Sequence, residues 1–241
     1  MRSTRLGVYG CLIAVLLGTA GVGAAAATVY EDLLKKARNG DVRAQVEVGL
    51  ALLNGEGTTA DPKAAAAWLR QAADSGDPQA QTQLGFLYAR GLGVQHDPAE
   101  AVRWFTRAAA WGYPEAQYDL GMAYLSGSAG PVDAAEAIRW LTKAAEAGVP
   151  EARLNLGLLY SEGRPGIIRD LVQGRRWLYA AAQSGSFCAE YNLGVLYNIG
   201  LGVAVDAKEA QKWFRRAASH AGQNGTLAEV AGSCGAGPEA R

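Results

Sequence analysis

The sequence predicts an all-α solenoid of about five helix–loop–helix repeats with half-repeat caps, and three observations predict it. The pattern A-x-x-x-(L/V)-G-x-x-(Y/L)-x-x-G starts at Ala44, Ala80, Ala116, Ala152 and Ala189, at spacings of 36, 36, 36 and 37 residues. A period in the thirties marks stacked repeats. In every unit an aspartate (Asp61, Asp97, Asp133, Asp170, Asp206) precedes by seven residues a tryptophan (Trp68, Trp104, Trp140, Trp177, Trp213). Alanine and glycine dominate, and strictly alternating β-branched runs are absent, which favours closely packed helices over sheet.

The first element, residues 1–27, follows a different rule from the rest. Arg2 and Arg5 precede an uncharged run from Leu6 to Ala27, centred on Leu12 to Leu17 and ending in the small residues Ala24 to Ala27. This is the pattern of a secretory signal peptide. The competing reading is an uncleaved anchor, since a run of that length can span a bilayer. Cys11 lies ahead of the most apolar stretch, which argues against a lipoprotein site. Cleavage near Ala27 places the mature chain in the periplasm or outside the cell, with 21 basic and 23 acidic residues. Such a near-neutral chain has no field to attract nucleic acid. A membrane contact is expected only if the N-terminal segment is kept.

Residues 28–43 read as an N-terminal capping helix, with Tyr30, Leu34 and Ala37 ahead of Gly40. The repeats follow at 44–79, 80–115, 116–151, 152–188 and 189–222. Within each, the first helix carries a glycine (Gly49, Gly85, Gly121, Gly157, Gly194) that admits a neighbouring helix. Glycines such as Gly91 and Gly93 end it. The aspartate is placed to cap the second helix, with proline following in Asp61-Pro62 and Asp97-Pro98. Glu100, Glu136, Gln173 and Glu209, three residues on, complete a capping-box pattern. Tryptophan and the Ala-Ala pair after it share the buried face. The extra residue of the fourth unit falls in the loop from Gly163 to Arg169, where insertion costs little. Residues 223–241 read as a degenerate C-terminal cap and tail, with Thr226 to Ala231 aligned to a first helix.

The string Ala80, Leu84-Gly85, Tyr88, Gly91-Leu92-Gly93-Val94, Asp97, Ala101, Trp104, Ala108-Ala109 and Gly112 resembles the Sel-one-like repeat, a relative of the tetratricopeptide repeat. The resemblance covers about residues 30 to 222. The third unit departs from it at Ser128-Ala129-Gly130, and the first carries Leu52 where the others have tyrosine. The resemblance implies a right-handed α/α superhelix acting as an adaptor for protein complexes. Its exported bacterial members are similar to regulators of signalling, exopolysaccharide production and the cell envelope. A cysteine-rich branch linked to β-lactam binding carries a cysteine pair per repeat, which this chain lacks.

Enzymatic chemistry has little to stand on. No G-x-S-x-G, S-x-x-K, H-E-x-x-H or P-loop string occurs. The only histidines, His96 and His220, lie in different repeats, and a zinc site needs three or four convergent ligands. No cofactor, metal or catalytic residue is therefore expected, and a cell-wall or β-lactam hydrolase is the weaker alternative. Cys188 and Cys234 share an oxidising compartment on this reading. In the repeat register they lie at opposite ends of adjacent first helices, offset by ~13 Å, too far to pair without a shift of the tail.

Binding is expected where the first helices line the concave surface. Two residues after each starting alanine come Val46, Thr82, Tyr118, Leu154 and Tyr191, then a polar position, Glu47, Gln83, Asp119, Asn155 and Asn192. Six residues after the alanine are Leu50, Phe86, Met122, Leu158 and Val195. The candidate groove comprises Tyr118, Tyr191, Leu154, Asn155, Asn192, Phe86, Met122, Arg90 and Glu162. Its aromatic side chains suit anchors for a protein or peptide, and its amides suit an extended backbone. The competing reading is that these side chains pack helix against helix. A polysaccharide ligand in an export machine is the third alternative.

Overall fold

The computed structural model describes residues 20–128, 130–220 and Cys234, with side chains from residue 26. Eleven helices follow one another among these residues, and the chain divides into two compact units, Met1–Asp97 and Pro98–Arg241. The first holds α1 (Ala20–Arg38), α2 (Val42–Asn54), α3 (Pro62–Asp74) and α4 (Pro78–Arg90). The second holds α5 (Pro98–Ala110), α6 (Pro114–Ser126), α7 (Ala134–Glu146), α8 (Pro150–Glu162), α9 (Leu171–Gln183), α10 (Phe187–Ile199) and α11 (Ala207–His220). No strand forms among the described residues; Arg164 and Ile167 make one isolated bridge. None of the described helices is long and apolar enough to cross a membrane.

Each helix starts and stops for local reasons. Asp61, Asp133, Asp170 and Asp206 accept hydrogen bonds from backbone N–H groups two or three residues on, capping α3, α7, α9 and α11. The expected reciprocal box does not form. The aspartate's own N–H donates to the carbonyl of the aligned first-helix residue: Asp61 to Leu52, Asp97 to Tyr88, Asp133 to Tyr124, Asp170 to Tyr160, Asp206 to Tyr197. That bond closes the loop and leaves the glutamates free for other partners. Glu100, Glu136 and Glu209 pair with Arg103, Arg139 and Lys212. Beyond α4, Gly91 closes the helix at φ 66°, and Gly93 has its Cα against the Pro62 carbonyl, where a Cβ would lie 2.0 Å from the oxygen.

Packing inside a hairpin is set by the first-helix glycine and the residue just after the tryptophan. A Cβ on Gly49 would lie 2.6 Å from Leu69 Cγ, on Gly121 2.8 Å from Leu141 Cγ, and on Gly157 2.7 Å from Leu178 Cγ. Gly194 meets the Phe214 ring at the same distance, 2.6 Å. The glycine is therefore a socket for one large side chain. Trp104, Trp140, Trp177 and Trp213 are buried, and Trp68 is half-buried. In the first unit Ala37, Ala44, Val48, Leu52 and Ala65 form the core, with Tyr30, Leu33 and Trp68 against it. In the second, one cluster around Leu141, Leu156 and Trp177 and another around Leu178, Leu193 and Trp213 fill the hairpins.

A second recurring bond joins each hairpin to the one before. The residue after the starting alanine reaches back eight positions to a helix C-terminal carbonyl, one of the groups a helix leaves unpaired. Gln45 Nε2 donates to Ala37 O at 3.3 Å, Gln81 to Ala73 O at 3.1 Å, Gln117 to Ala109 O at 3.5 Å, and Arg153 Nε to Ala145 O at 2.9 Å. In α10 this position is Glu190, which has no proton to give when ionised. Arg216 of α11 donates to Ala182 O at 3.1 Å in its place and pairs with the fully buried Glu190 carboxylate, which His220 Nδ1 also meets at 2.9 Å.

Cys188 and Cys234 are joined by a disulfide with Cα atoms 5.0 Å apart. This corrects the offset expected from the repeat register. Cys234 occupies a bend and not the tyrosine position of a first helix, so the helical rise that separated the two does not apply. The expected half-repeat at Thr226 to Ala231 lies outside the described residues, as do residues 1–19 of the expected signal peptide.

Candidate functional site

The candidate groove residues fall on α4 in the first unit and on α6, α8 and α10 in the second. In the first unit Phe86 is half-buried and Arg90 exposed, with the guanidinium carbon 5.5 Å from the Phe86 ring centre. That stack holds a cation over an aromatic face.

In the second unit the side chains divide into packed and open ones. Tyr118 is buried, and its phenol oxygen accepts a hydrogen bond of 3.1 Å from Asn155 Nδ2, which also lies 3.3 Å from Met122 Sδ. The two positions meet because the fifth residue of α6 packs beside the sixth residue of α8. Burial raises the Tyr118 phenol to about 12, against the Asn155 bond and with help from the charges of Asp119 and Glu151. Asn192 is buried as well and donates to Cys188 O at 2.8 Å, within its own helix. Met122, Leu154, Leu158, Tyr191 and Val195 are half-buried, with part of each side chain open. Tyr191 tilts against Phe214 at 5.6 Å between ring centres, and Glu162 pairs with Arg164 at 3.3 Å.

Asp119, read from the sequence only as one polar position of a series, has the most perturbed environment of the face. Its carboxyl is pushed up to about 7 by burial first and by the charge of Glu115 second. Nothing in the local sequence announces this, because aspartate at an ordinary helix position is a solvated residue unless neighbouring helices enclose it.

Among the described residues no group of three His, Cys, Asp or Glu side chains could hold a metal ion. His96 is exposed in a loop, and His220 serves Glu190. The arrangement can make apolar contact, donate and accept hydrogen bonds, and carry charge.

The family model for the Sel1 repeat matches residues 42–77, 78–113, 114–149, 150–186 and 189–221. The chain belongs to the Sel1 repeat family. Among solved structures, a protective antigen present in uropathogenic Escherichia coli strains and displaying an SLR fold is 38% identical with a TM-score of 0.77. The alignment covers 83% of this chain and 43% of that one, so this chain spans less than half the length of that relative. A Sel1 repeat protein from Oxalobacter formigenes is 33% identical at a TM-score of 0.70, over 77% of this chain and 75% of its own. A putative Sel1 repeat protein from Klebsiella pneumoniae subsp. pneumoniae, 23% identical with a TM-score of 0.55, covers 85% and 97% and shares the fold. Comparison with curated proteins returns no match. Membership of the Sel1 repeat family points to a non-catalytic scaffold for protein–protein interaction.

Proposed function

We propose that this Sel1 repeat protein is an exported, non-enzymatic adaptor that binds an extended protein segment along its first-helix, concave face, in the assembly or regulation of a cell-envelope, signalling or exopolysaccharide system. The observation that carries the reading is the row of half-buried side chains on successive first helices, Met122 on α6, Leu154 and Leu158 on α8, Tyr191 and Val195 on α10. Part-open apolar side chains at one helical face after another give an extended ligand repeated contacts without unfolding the scaffold. Export is supported by the N-terminal charge and hydropathy pattern, and the Cys188–Cys234 bridge fits an oxidising compartment.

The test is site-specific photocrosslinking in the producing cell. A benzophenone amino acid at Leu158 or Tyr191 should give discrete protein adducts, whereas one at the exposed second-helix positions Arg103 or Arg176 should not. Adducts confined to the second-helix positions, or a carbohydrate adduct at Leu158, would overturn the reading.

A further inference from the structure

Charge is divided unevenly between the two kinds of helix in the second unit. Its first helices α6, α8 and α10 carry five acids (Glu115, Asp119, Glu151, Glu162, Glu190) and one base, Arg153. The second helices α5, α7, α9 and α11 carry ten bases and four acids. The lone first-helix base is already engaged, its Nε on Ala145 O and its Nη1 on Ser184 Oγ at 2.8 Å. Glu190 is paired to Arg216, and Glu162 to Arg164. What remains on α6 is a pair of acids, Glu115 and Asp119, with no cation answering either among the described residues.

Asp119 sharpens that pair into a position. The residue is half-buried, and burial is the larger cause that raises its carboxyl. It makes no hydrogen bond and no ion pair among the described residues, and its charge is felt at the Tyr118 phenol. A partly desolvated carboxylate without a partner is costly to hold, and proteins ordinarily pair such a group. Met122 and the Tyr118–Asn155 pair sit on the same stretch of face. The methylene chain of a lysine or arginine can lie along such apolar surface while its head reaches a carboxylate.

We propose that Asp119, with Glu115 one helical turn before it, receives a lysine or arginine side chain from the segment bound by this face, so that the partner is a basic, extended peptide. The inference rests on the reading that the first-helix face binds protein. An uncharged Asp119 serving only to fill space is the opposing possibility, and binding distinguishes the two.

The experiment pans a random twelve-residue peptide library on the purified protein and keeps the binders that Leu154→Ala weakens. These should carry a lysine or arginine. Replacing that residue in the peptide by norleucine should weaken binding about tenfold or more, and Asp119→Asn should do the same for the unmodified peptide. The two changes together should cost little beyond either alone, because they remove the same contact. Leu154-dependent binders that lack a basic residue, or that bind Asp119→Asn unchanged, overturn the cation site and leave the face standing. A library that yields no Leu154-dependent binder overturns the face and the cation site together. Asparagine has the size of aspartate, so far-ultraviolet circular dichroism of the variant should match the parent.

Discussion

Replacing Asp119 by asparagine should stabilise the protein in alkaline solution and leave it unchanged in acid. The carboxyl titrates near 7 in the folded protein against the ordinary 3.8 in the unfolded chain. The folded state therefore binds this proton more tightly, and stability falls as pH rises from about 4 to about 7, then levels off. A difference of that size corresponds to ~4 kcal/mol between the ionised and neutral carboxyl. Asparagine stays neutral throughout, so it removes the cost of ionisation while keeping the volume. Urea denaturation at pH 8.5 should show Asp119→Asn more stable by ~2–4 kcal/mol, the lower figure allowing for an amide that also lacks partners. At pH 4 the two proteins should unfold within ~0.5 kcal/mol of each other, as a neutral exchange at a fixed volume requires. A stability difference that does not vary with pH, or a variant less stable at pH 8.5, would refute the reasoning. It would mean that the carboxylate is solvated or paired.

Four other outcomes follow from the packing. Gly157→Ala should destabilise by ~1–3 kcal/mol in urea, because its Cβ would meet Leu178 Cγ at 2.7 Å and the Leu178 backbone nitrogen at 3.0 Å; an unchanged midpoint would show that α9 shifts freely. Trp140→Ala should cost ~3–5 kcal/mol, since the ring is buried at 9% exposure and its Nε1–H donates to Glu136; a loss below ~1 kcal/mol would remove it from the core. Arg216→Ala should cost ~3 kcal/mol by leaving Glu190 without its guanidinium and Ala182 O without its donor, and Glu190→Gln in that background should restore part of the loss. Cys188→Ala should lower stability by at most ~4 kcal/mol, the chain-entropy value for a 46-residue separation, and should make the unfolding midpoint insensitive to reductant.

The repeat period, the helix-ending Gly91 and the capping aspartates were legible because each acts within one hairpin, where sequence distance and spatial distance agree. The tryptophans were legible as core for the same reason. Leu69, Leu141, Leu178 and Phe214 were harder to read, because their role is defined by a glycine some twenty residues earlier on a different helix. Counting along one helix picks out the half-buried positions Met122, Leu154 and Tyr191, but not that Tyr118 and Asn155 satisfy each other, a contact that depends on how closely α6 and α8 approach. Asn192 took a local carbonyl in the same way. Asp119 was invisible as a special residue, since its perturbation comes from enclosure. The cysteines were misplaced because Cys234 lies in a bend and not at the tyrosine position of a first helix.

The exchange of Glu190 for the donor found in the other repeats bears on how such an array can be inherited. A first helix carrying Gln45, Gln81, Gln117 or Arg153 supplies its own bond to the preceding hairpin and is, in that respect, interchangeable. The last one is not: α10 transplanted alone would carry a buried negative charge into a setting without Arg216 or His220, and α11 alone would bring an arginine with nothing to neutralise. Recombination that cuts between them leaves both products damaged, whereas a crossover in the turn before Phe187 moves a self-sufficient pair. The heritable module here is therefore two helices long, whereas each earlier first helix carries its donor within a single helix.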